Sequence, residues 1–260
     1  MDFKKQINYF QNKQLTEHPI LLIHGFSSGW EEWLDVIEIL GEKSSIIAVD
    51  IPGHGYSQKL EKYTIQNYSK PLISFINNNF KQPFNIIGHS LGALISIYIA
   101  SKLNHLVRNL ILEDPPMFQN TQNDPSIIDL LNQEAKEKIY WKNIDDAEEY
   151  IKSINPETSQ NKLIIKSKNK FLTDINAYDF SNLTENLSIS KLLQNIQSNT
   201  FLFLGDPKFG GILSEKDAKK ISNLISKCSI KKWKNTGHGI HNEHTTEYCK
   251  IVNDFLNNNR

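Results

Sequence analysis

Short runs of β-branched and apolar residues recur along the chain, each followed by a Gly- or Pro-rich turn and then an amphipathic stretch of helical period. Because the runs are apolar on both faces, we expect parallel strands that helices cover on each side of a sheet. The region 8–14 is predicted as an antiparallel edge strand. The parallel strands are predicted at 20–23, 45–49, 84–87, 107–112, 200–204 and 229–233.

Helical patterns alternate with these strands, and the alternation is interrupted once. Helices are predicted at 31–40, 65–78, 91–103, 215–225 and 245–256. From Pro116 to about Gln197 no strand pattern recurs, while 127–140 and 145–154 have charged, helical patterns. Roughly eighty residues are too many for one crossover connection. We therefore predict an α/β fold with a doubly wound, mostly parallel sheet, formed by 1–115 and 198–260, and a helical lid inserted at 116–197.

Composition and charge narrow the class of partner. Hydrophobic residues make up 39% and charged residues 22% of the chain, which is enough apolar material for a packed core. Lys plus Arg equal Asp plus Glu at 29 each, so no net field draws the chain to nucleic acid or to a membrane. The segment 1–14 is polar, without the apolar core of a signal peptide. We therefore expect a cytoplasmic protein that acts on a small molecule.

The sequence predicts neither a metal site nor a cofactor site. Cys228 and Cys249 lack metal-type spacing and are predicted to be small, buried apolar residues. The Gly-rich loop at 50–57 lacks the Lys-Ser/Thr ending of a phosphate loop and the Gly-X-Gly-X-X-Gly spacing of a dinucleotide site. One histidine cluster spans a Gly-containing loop rather than one face of a helix, which disfavours zinc. That cluster consists of His238, His241, Glu243 and His244.

Ser90 is the strongest candidate for chemistry, because it occupies the centre of a Gly-X-Ser-X-Gly motif at 88–92. The motif follows an apolar strand and opens a helix rich in small residues. Glycines two positions on either side allow a sharp turn that exposes the hydroxyl at the N-terminus of the helix. The helix dipole there favours developing negative charge. Ser90 is therefore predicted as a nucleophile, and a serine that only caps the helix is the alternative.

A serine nucleophile needs a base, and His238 is the candidate. It lies in a Gly-flanked loop directly after the last predicted strand. Catalytic side chains in open α/β sheets gather at the carboxyl ends of strands, where Ser90 also lies. The oxyanion of an acyl-transfer transition state requires two N–H donors. These are predicted on Leu91, directly after the nucleophile, and on Phe26, in the turn that begins near Gly25.

Four ordered motifs resemble the α/β-hydrolase superfamily, in its lidded branch typified by small esterases and carbon–carbon bond hydrolases. They are the His-Gly-Phe turn at 24–26, the Asp-X-Pro-Gly-X-Gly-X-Ser loop at 50–57, the nucleophile elbow at 88–92 and the Gly-His loop at 237–238. The resemblance covers nearly the whole chain apart from the lid. It implies hydrolysis through an acyl-enzyme and no cofactor. Relatives that displace halide or open epoxides carry Asp at the nucleophile position, so Ser90 argues against both.

The acid of the implied Ser-His-Asp triad is where the sequence departs from the family. The family usually places Asp a few residues beyond the glycine that here is Gly205, but the position that often holds Asp holds Lys208. Asp206 comes immediately after the glycine and is the first candidate. Asp114, at the end of the preceding strand, is the alternative, because some family members take their acid from there. Either would orient His238 and stabilise its charged form.

The sequence thus predicts a serine hydrolase for a small, partly apolar, ester-like substrate held under the lid. A carbon–carbon bond hydrolase, or a cofactor-free lyase in which His238 removes a proton while Ser90 only positions the substrate, would use the same residues. A non-catalytic ligand receptor on this fold is a third alternative. In the lid, Tyr140, Trp141 and Tyr178 are candidates to line the pocket, although packing against the sheet domain explains them equally well.

Overall fold

The computed structural model describes residues 7–117 and 125–258 of the chain, with the side chains of these residues other than 125–128. Within these ranges, seven strands form one sheet in the order β1-β3-β2-β4-β5-β6-β7. The strands are β1 Tyr9–Gln11, β2 Ile20–Ile23, β3 Ile46–Val49, β4 Phe84–His89, β5 Val107–Glu113, β6 Asn199–Leu204 and β7 Cys228–Lys232. β1 pairs antiparallel with β3, and every other neighbouring pair is parallel. The predicted mostly parallel sheet is confirmed.

Helices alternate with the strands along the chain. They are α1 Leu34–Leu40, α2 Ile65–Asn79, α3 Leu91–Lys102, α4 Pro125–Lys138, α5 Ile144–Ile154, α6 Gln160–Leu172, α7 Ile189–Gln194, α8 Glu215–Leu224, α9 Ile240–Glu243 and α10 Thr245–Asn258. The first predicted helix is shorter than expected, because the chain enters it through a 3-10 turn at Trp30–Trp33. The other predicted core helices are present with small shifts at their ends.

Two hydrophobic clusters sandwich the sheet. Successive residues of β2 point to opposite faces, so Leu21 and Ile23 join one cluster while Ile20 and Leu22 join the other. The first cluster includes residues of α2, α3 and α8, and the second includes residues of α1 and α10. Helices therefore cover both faces, which explains why β2, β3 and β4 are buried along their whole length, whereas the edge strand β7 is polar and partly exposed. Cys249 is buried as predicted, whereas Cys228 is only partly buried, so that part of the prediction is wrong.

Between β5 and β6, the part of the chain that the structure describes contains four helices, α4 to α7, and no strand. α4 and α5 correspond to the two predicted lid helices, and α5 begins with a capping box between Asn143 and Asp146. The sequence patterns missed α6 and α7. In α6 the buried positions include Ser167 and Asn169, so its inner face does not have a simple apolar pattern. The domain boundaries at 116 and 198 stay a prediction.

Two expectations from the sequence involve residues that the structure does not describe. Residues 1–6 belong to the segment used to judge the absence of a signal peptide, and residues 118–124 belong to the predicted lid. Among the helices that the structure describes, none has both the length and the apolar character needed to span a membrane.

Candidate active site

Ser90 forms the sharp turn between β4 and α3, with a φ of 53°. This left-handed backbone is unusual for a residue other than glycine and marks local strain. The flanking glycines make the turn possible, since a Cβ on Gly88 would lie 2.6 Å from the Gly92 carbonyl oxygen, and one on Gly92 would lie 2.2 Å from the Ile23 oxygen. Within the described chain, the Ser90 side chain makes no capping hydrogen bond to α3. The helix-capping alternative therefore gains no support.

Asp114 is the carboxylate that meets His238. The Nδ1 atom of His238 lies 2.7 Å from Oδ2 of Asp114. Asp114 is fully buried directly after β5 and has a φ of 44°. Its carboxylate also accepts hydrogen bonds from three backbone N–H groups at 2.8–3.2 Å, in the segment that follows β6. The three donors are Gly205, Ile212 and Leu213.

The structure contradicts the preference for Asp206 as the partner of His238. Asp206 is the N-cap of a 3-10 turn at Pro207–Phe209, and its Oδ1 accepts a hydrogen bond from Lys208 N at 3.1 Å. Its carboxylate is therefore used in ordinary Asp-Pro turn chemistry. The alternative that the sequence offered, Asp114, occupies the position beside His238.

The surroundings of His238 favour its neutral form. Burial lowers the pKa of His238, and the nearby charge of His89 lowers it further, against the opposing effect of Asp114. For Asp114, burial alone would raise the pKa, but the hydrogen bond and charge of His238 and the backbone N–H groups lower it below its ordinary value. A neutral imidazole next to an ionised carboxylate is the arrangement that general-base catalysis requires.

The Gly25 turn approaches the elbow closely. A Cβ on Gly25 would lie 3.3 Å from the Cβ of Ser90, a separation tighter than nearly all real Cβ contacts. Phe26 follows, and its ring packs edge-to-face on Tyr178 with centroids 4.8 Å apart. Leu91 is the first residue of α3. These positions put the two predicted oxyanion donors, Phe26 and Leu91, on the turn and the helix end that flank Ser90, while their role stays a prediction.

Helices α4 and α6 reach the same turn through a buried carboxylate. Ser27 Oγ donates to Glu134 Oε1 at 2.6 Å, and the Tyr178 hydroxyl donates to the same oxygen at 2.5 Å. Lys170 Nζ forms an ion pair with the other oxygen of Glu134. The segment between β5 and β6 is therefore hydrogen-bonded to the residue that follows Phe26.

The three aromatic candidates of this segment have different surroundings. Tyr178 contacts Phe26, whereas the ring of Trp141 packs on that of Tyr150 with centroids 5.6 Å apart. Tyr140 is 78% exposed. Of the three, Tyr178 is the one that reaches the turn beside Ser90.

The sequence analysis missed a buried network of carboxylates and imidazoles next to the site. His89 Nδ1 lies 2.5 Å from Glu32 Oε1, and His89 Nε2 lies 3.1 Å from the carbonyl oxygen of His238. His241 Nδ1 lies 2.8 Å from Glu113 Oε1. The available signal was the presence of ionisable residues in otherwise apolar segments, as with His89 and Glu113 at the ends of buried strands.

The network contains an ion pair. Burial alone would lower the pKa of His89, but the charges of Glu32 and Glu113 and the hydrogen bond to Glu32 raise it to about 9. Burial alone would raise the pKa of Glu32, but His89 and His241 hold it well below its ordinary value. His89 is therefore a cation and Glu32 an anion at neutral pH.

Among the described residues, one group has side-chain atoms close enough together to hold a metal ion. Atoms of Glu32, His89 and His241 lie within 4.8 Å of one another. Hydrogen bonds already account for these atoms, because His89 bonds to Glu32 and the Nε2 of His241 lies 2.9 Å from Asn242 Nδ2. The histidine cluster considered from the sequence is not brought together as a set, since His244 Nε2 bonds to Thr236 instead.

Comparison with known proteins identifies the fold family. The sequence profile of the alpha/beta hydrolase fold matches residues 18–148, just over half of the chain. The human monoacylglycerol lipase ABHD6 is 27% identical over 273 residues, which cover 95% of this chain and 77% of that protein. The soluble epoxide hydrolase of Corynebacterium sp. strain C12 is 32% identical over 101 residues, or 37% of this chain. That match spans only 34% of the epoxide hydrolase.

Solved structures show the same fold. MenH from S. aureus superimposes with a TM-score of 0.74 at 22% identity, covering 97% of this chain and 98% of MenH. A carboxylesterase structure from the thaumarchaeon Nitrososphaera gargenis gives a TM-score of 0.78 at 17% identity, covering 97% of this chain and 94% of that one. At these identities the likeness concerns the fold alone. Taken with the profile match and the hydrolase relatives, the fold establishes that this chain belongs to the α/β-hydrolase fold family and is a hydrolase of that fold.

Proposed function

We propose that the chain is a serine hydrolase that cleaves small, partly apolar, ester-like substrates through a Ser-His-Asp triad. Ser90 attacks the acyl carbon while His238 accepts the hydroxyl proton. Asp114 holds the imidazole and stabilises its cation as the proton arrives. The backbone N–H groups of Phe26 and Leu91 bind the oxyanion.

The reaction then runs in two stages. His238 returns the proton to the leaving alcohol as the carbon–oxygen bond breaks, which leaves an acyl group on Ser90. Water, deprotonated by the same imidazole, attacks this acyl-enzyme and releases the acid with the serine restored. These steps need no redox change and no second substrate besides water.

The observation that carries the proposal is the 2.7 Å contact between His238 Nδ1 and Asp114 Oδ2. Because Nδ1 donates its proton to the carboxylate, Nε2 is the nitrogen left to act as a base. The contact lies beside the strained Ser90 turn, since the rings of His89 and His238 are 4.6 Å apart. A serine elbow and a carboxylate-held imidazole are the parts that acyl transfer needs.

The aromatic residues beside Phe26 support the proposed substrate class. Phe26 packs on Tyr178 and Phe180 with centroids 4.8 and 4.7 Å away, so the neighbourhood of the oxyanion turn is aromatic and apolar. The name of one relative, a monoacylglycerol lipase that is 27% identical, supports the same class. The segment 116–197 acts as the lid in this proposal, because Glu134 accepts a hydrogen bond from Ser27 and the Tyr178 hydroxyl lies 3.4 Å from Ser27 Oγ.

Covalent labelling and ester hydrolysis test the proposal together. The wild-type protein is expected to react with a fluorophosphonate probe and to hydrolyse chromogenic esters presented with increasing acyl length. Ser90→Ala is expected to abolish both. Ser101→Ala is the matched control, because it removes a hydroxyl that bonds to the Tyr98 carbonyl at the far end of the same helix.

Two other results would contradict the serine mechanism. Turnover that survives Ser90→Ala but not His238→Ala would assign the chain to proton-transfer chemistry of the lyase type. Tight binding of a small ligand, with neither labelling nor turnover, would show that the chain is a non-catalytic ligand receptor.

A further inference from the structure

Three separate loops of the site converge on one buried ion pair. Glu32 Oε2 accepts a hydrogen bond from the backbone N–H of Gly25 at 3.2 Å, at the start of the predicted oxyanion turn. Glu32 Oε1 lies 2.5 Å from His89 Nδ1, and His89 is the residue directly before Ser90. His89 Nε2 donates to the His238 carbonyl oxygen at 3.1 Å. The oxyanion turn, the elbow and the histidine loop are thus joined by two side chains.

The hydrogen-bond geometry favours a cationic His89. Its two ring nitrogens face oxygen acceptors, a carboxylate on one side and a backbone carbonyl on the other. A neutral imidazole carries one N–H and satisfies one acceptor, whereas an imidazolium satisfies both. The side chains of Glu32 and His89 are only 8% and 10% exposed, so each charge is compensated by the other rather than by water.

We propose that Glu32 and His89 are positioning residues, whose ion pair fixes the oxyanion turn and the His238 loop relative to Ser90. The proposal rests on the proposed roles of Ser90 and His238. Neither Glu32 nor His89 touches the substrate. They act by holding the backbone of Gly25 and His238 at the distances that the reaction needs.

The positive charge of His89 also affects the protonation of His238. The rings of His89 and His238 lie 4.6 Å apart, close enough for one charge to disfavour another. The charged groups that act on His238 are His89 at the end of β4, and Glu113 and Asp114 at the end of β5. Burial lowers the pKa of His238 most, the positive charge of His89 lowers it further, and the two carboxylates act in the opposite direction.

Kinetics of conservative variants test the proposal. In Glu32→Gln and His89→Gln, kcat for a chromogenic ester is expected to fall about 10- to 100-fold with KM little changed, because the loops shift while the substrate pocket stays. The acid limb of the pH–rate profile is expected to move to higher pH in His89→Gln, since the loss of the cation makes His238 easier to protonate. Glu38→Gln and His105→Gln, which change exposed residues, are the controls.

The charge-retaining variant Glu32→Asp separates positioning from folding. It keeps the anion but withdraws the carboxylate by one methylene, so kcat is expected to fall while the acid limb stays where it is in the wild type. This variant decides the question if Glu32→Gln proves unfolded by circular dichroism. A variant that lowers only the melting temperature, with wild-type kcat and an unmoved acid limb, would show that the pair is merely structural and overturn the proposal.

Two further results have distinct meanings. If the wild-type protein shows neither ester hydrolysis nor fluorophosphonate labelling, the proposed function itself is wrong. If the wild type and Glu32→Gln are equally active, only the positioning role is wrong. Elemental analysis of the purified wild type is expected to find no bound metal. If the wild type holds one equivalent of a metal and His89→Gln holds none, Glu32 and His89 are metal ligands rather than an ion pair, and the proposal is overturned.

Discussion

His238 Nδ1 lies 2.7 Å from Asp114 Oδ2, although the two residues are 124 positions apart in the chain. The contact joins the end of β5 to the loop after β7, two strands away in the sheet. It brings the acid from the strand that directly neighbours the Ser90 strand, because β5 pairs with β4. The proposed nucleophile and acid therefore lie at the ends of β4 and β5, two adjacent strands that are almost fully buried.

Asp114→Asn is expected to lower kcat by about three to four orders of magnitude, because the amide no longer stabilises the imidazolium and favours the wrong tautomer of His238. Asp206→Asn is the matched control, with near wild-type turnover, since this carboxylate accepts from Lys208 N and not from His238. Steady-state kinetics on one chromogenic ester compares the two. A large loss in Asp206→Asn with an active Asp114→Asn would reverse the assignment.

The pH dependence of kcat/KM follows from the state of His238. Its pKa is lowered by burial and by the charge of His89, and the group must be neutral to accept the serine proton. Activity is therefore expected to rise with pH through a midpoint below about 6.5, the ordinary value for histidine. A pH–rate profile with intrinsic fluorescence as a control for unfolding measures the midpoint. A midpoint above 7 would contradict the effect of burial.

Glu134→Gln is expected to loosen the helices between β5 and β6. The variant loses the charge that pairs with Lys170 and weakens the hydrogen bonds from Ser27 and Tyr178. Hydrogen bonds to a charged group contribute about 1.5–3 kcal/mol each, so backbone amides of α4 and α6 should exchange about tenfold faster or more. Hydrogen exchange followed by mass spectrometry localises the change.

The hydrogen-exchange experiment on Glu134→Gln has a matched control variant and an expected dependence on pH. Glu137→Gln, an exposed neighbour on α4, should leave the exchange unchanged. Burial alone would raise the pKa of Glu134, but Lys170, Ser27 and Tyr178 lower it below its ordinary value. The stabilisation is therefore present above the unfolded pKa and is lost as the pH falls through the folded value. Faster exchange throughout the sheet instead of in α4 and α6 would contradict a local role.

The fold and the sharp turn at Ser90 could be predicted because their signals are local. Apolar runs with Gly-rich turns specify buried strands, and Gly88 and Gly92 flank Ser90 within five positions of the sequence. The choice between Asp114 and Asp206 could not be made this way, since both follow strands and precede proline. It is decided by the segment after β6, whose N–H groups of Ile212 and Leu213 turn towards the Asp114 carboxylate.

The Glu32–His89 pair could not be predicted from sequence patterns, for a different reason. The two residues are 57 positions apart; His89 is the one ionisable group of an apolar strand, whereas Glu32 directly follows a second glutamate, Glu31, in a helical segment. Periodicity identifies faces of helices and strands, but it carries no information about which buried charges meet after folding. The helix α6 was missed because polar residues such as Ser167 and Asn169 occupy its buried face.

The three backbone N–H groups that hold Asp114 have a consequence for redesign of the loop after β6. They are supplied by main-chain atoms, so the side chains of Lys208 and Phe209 can change without removing a donor, whereas Gly210, with a φ of 96°, has to stay a glycine. Lys208, Phe209 and Gly210 are exposed to solvent. Fluorescent labels or affinity tags can therefore be attached at positions 208 and 209, provided that the donors at Gly205, Ile212 and Leu213 keep their places.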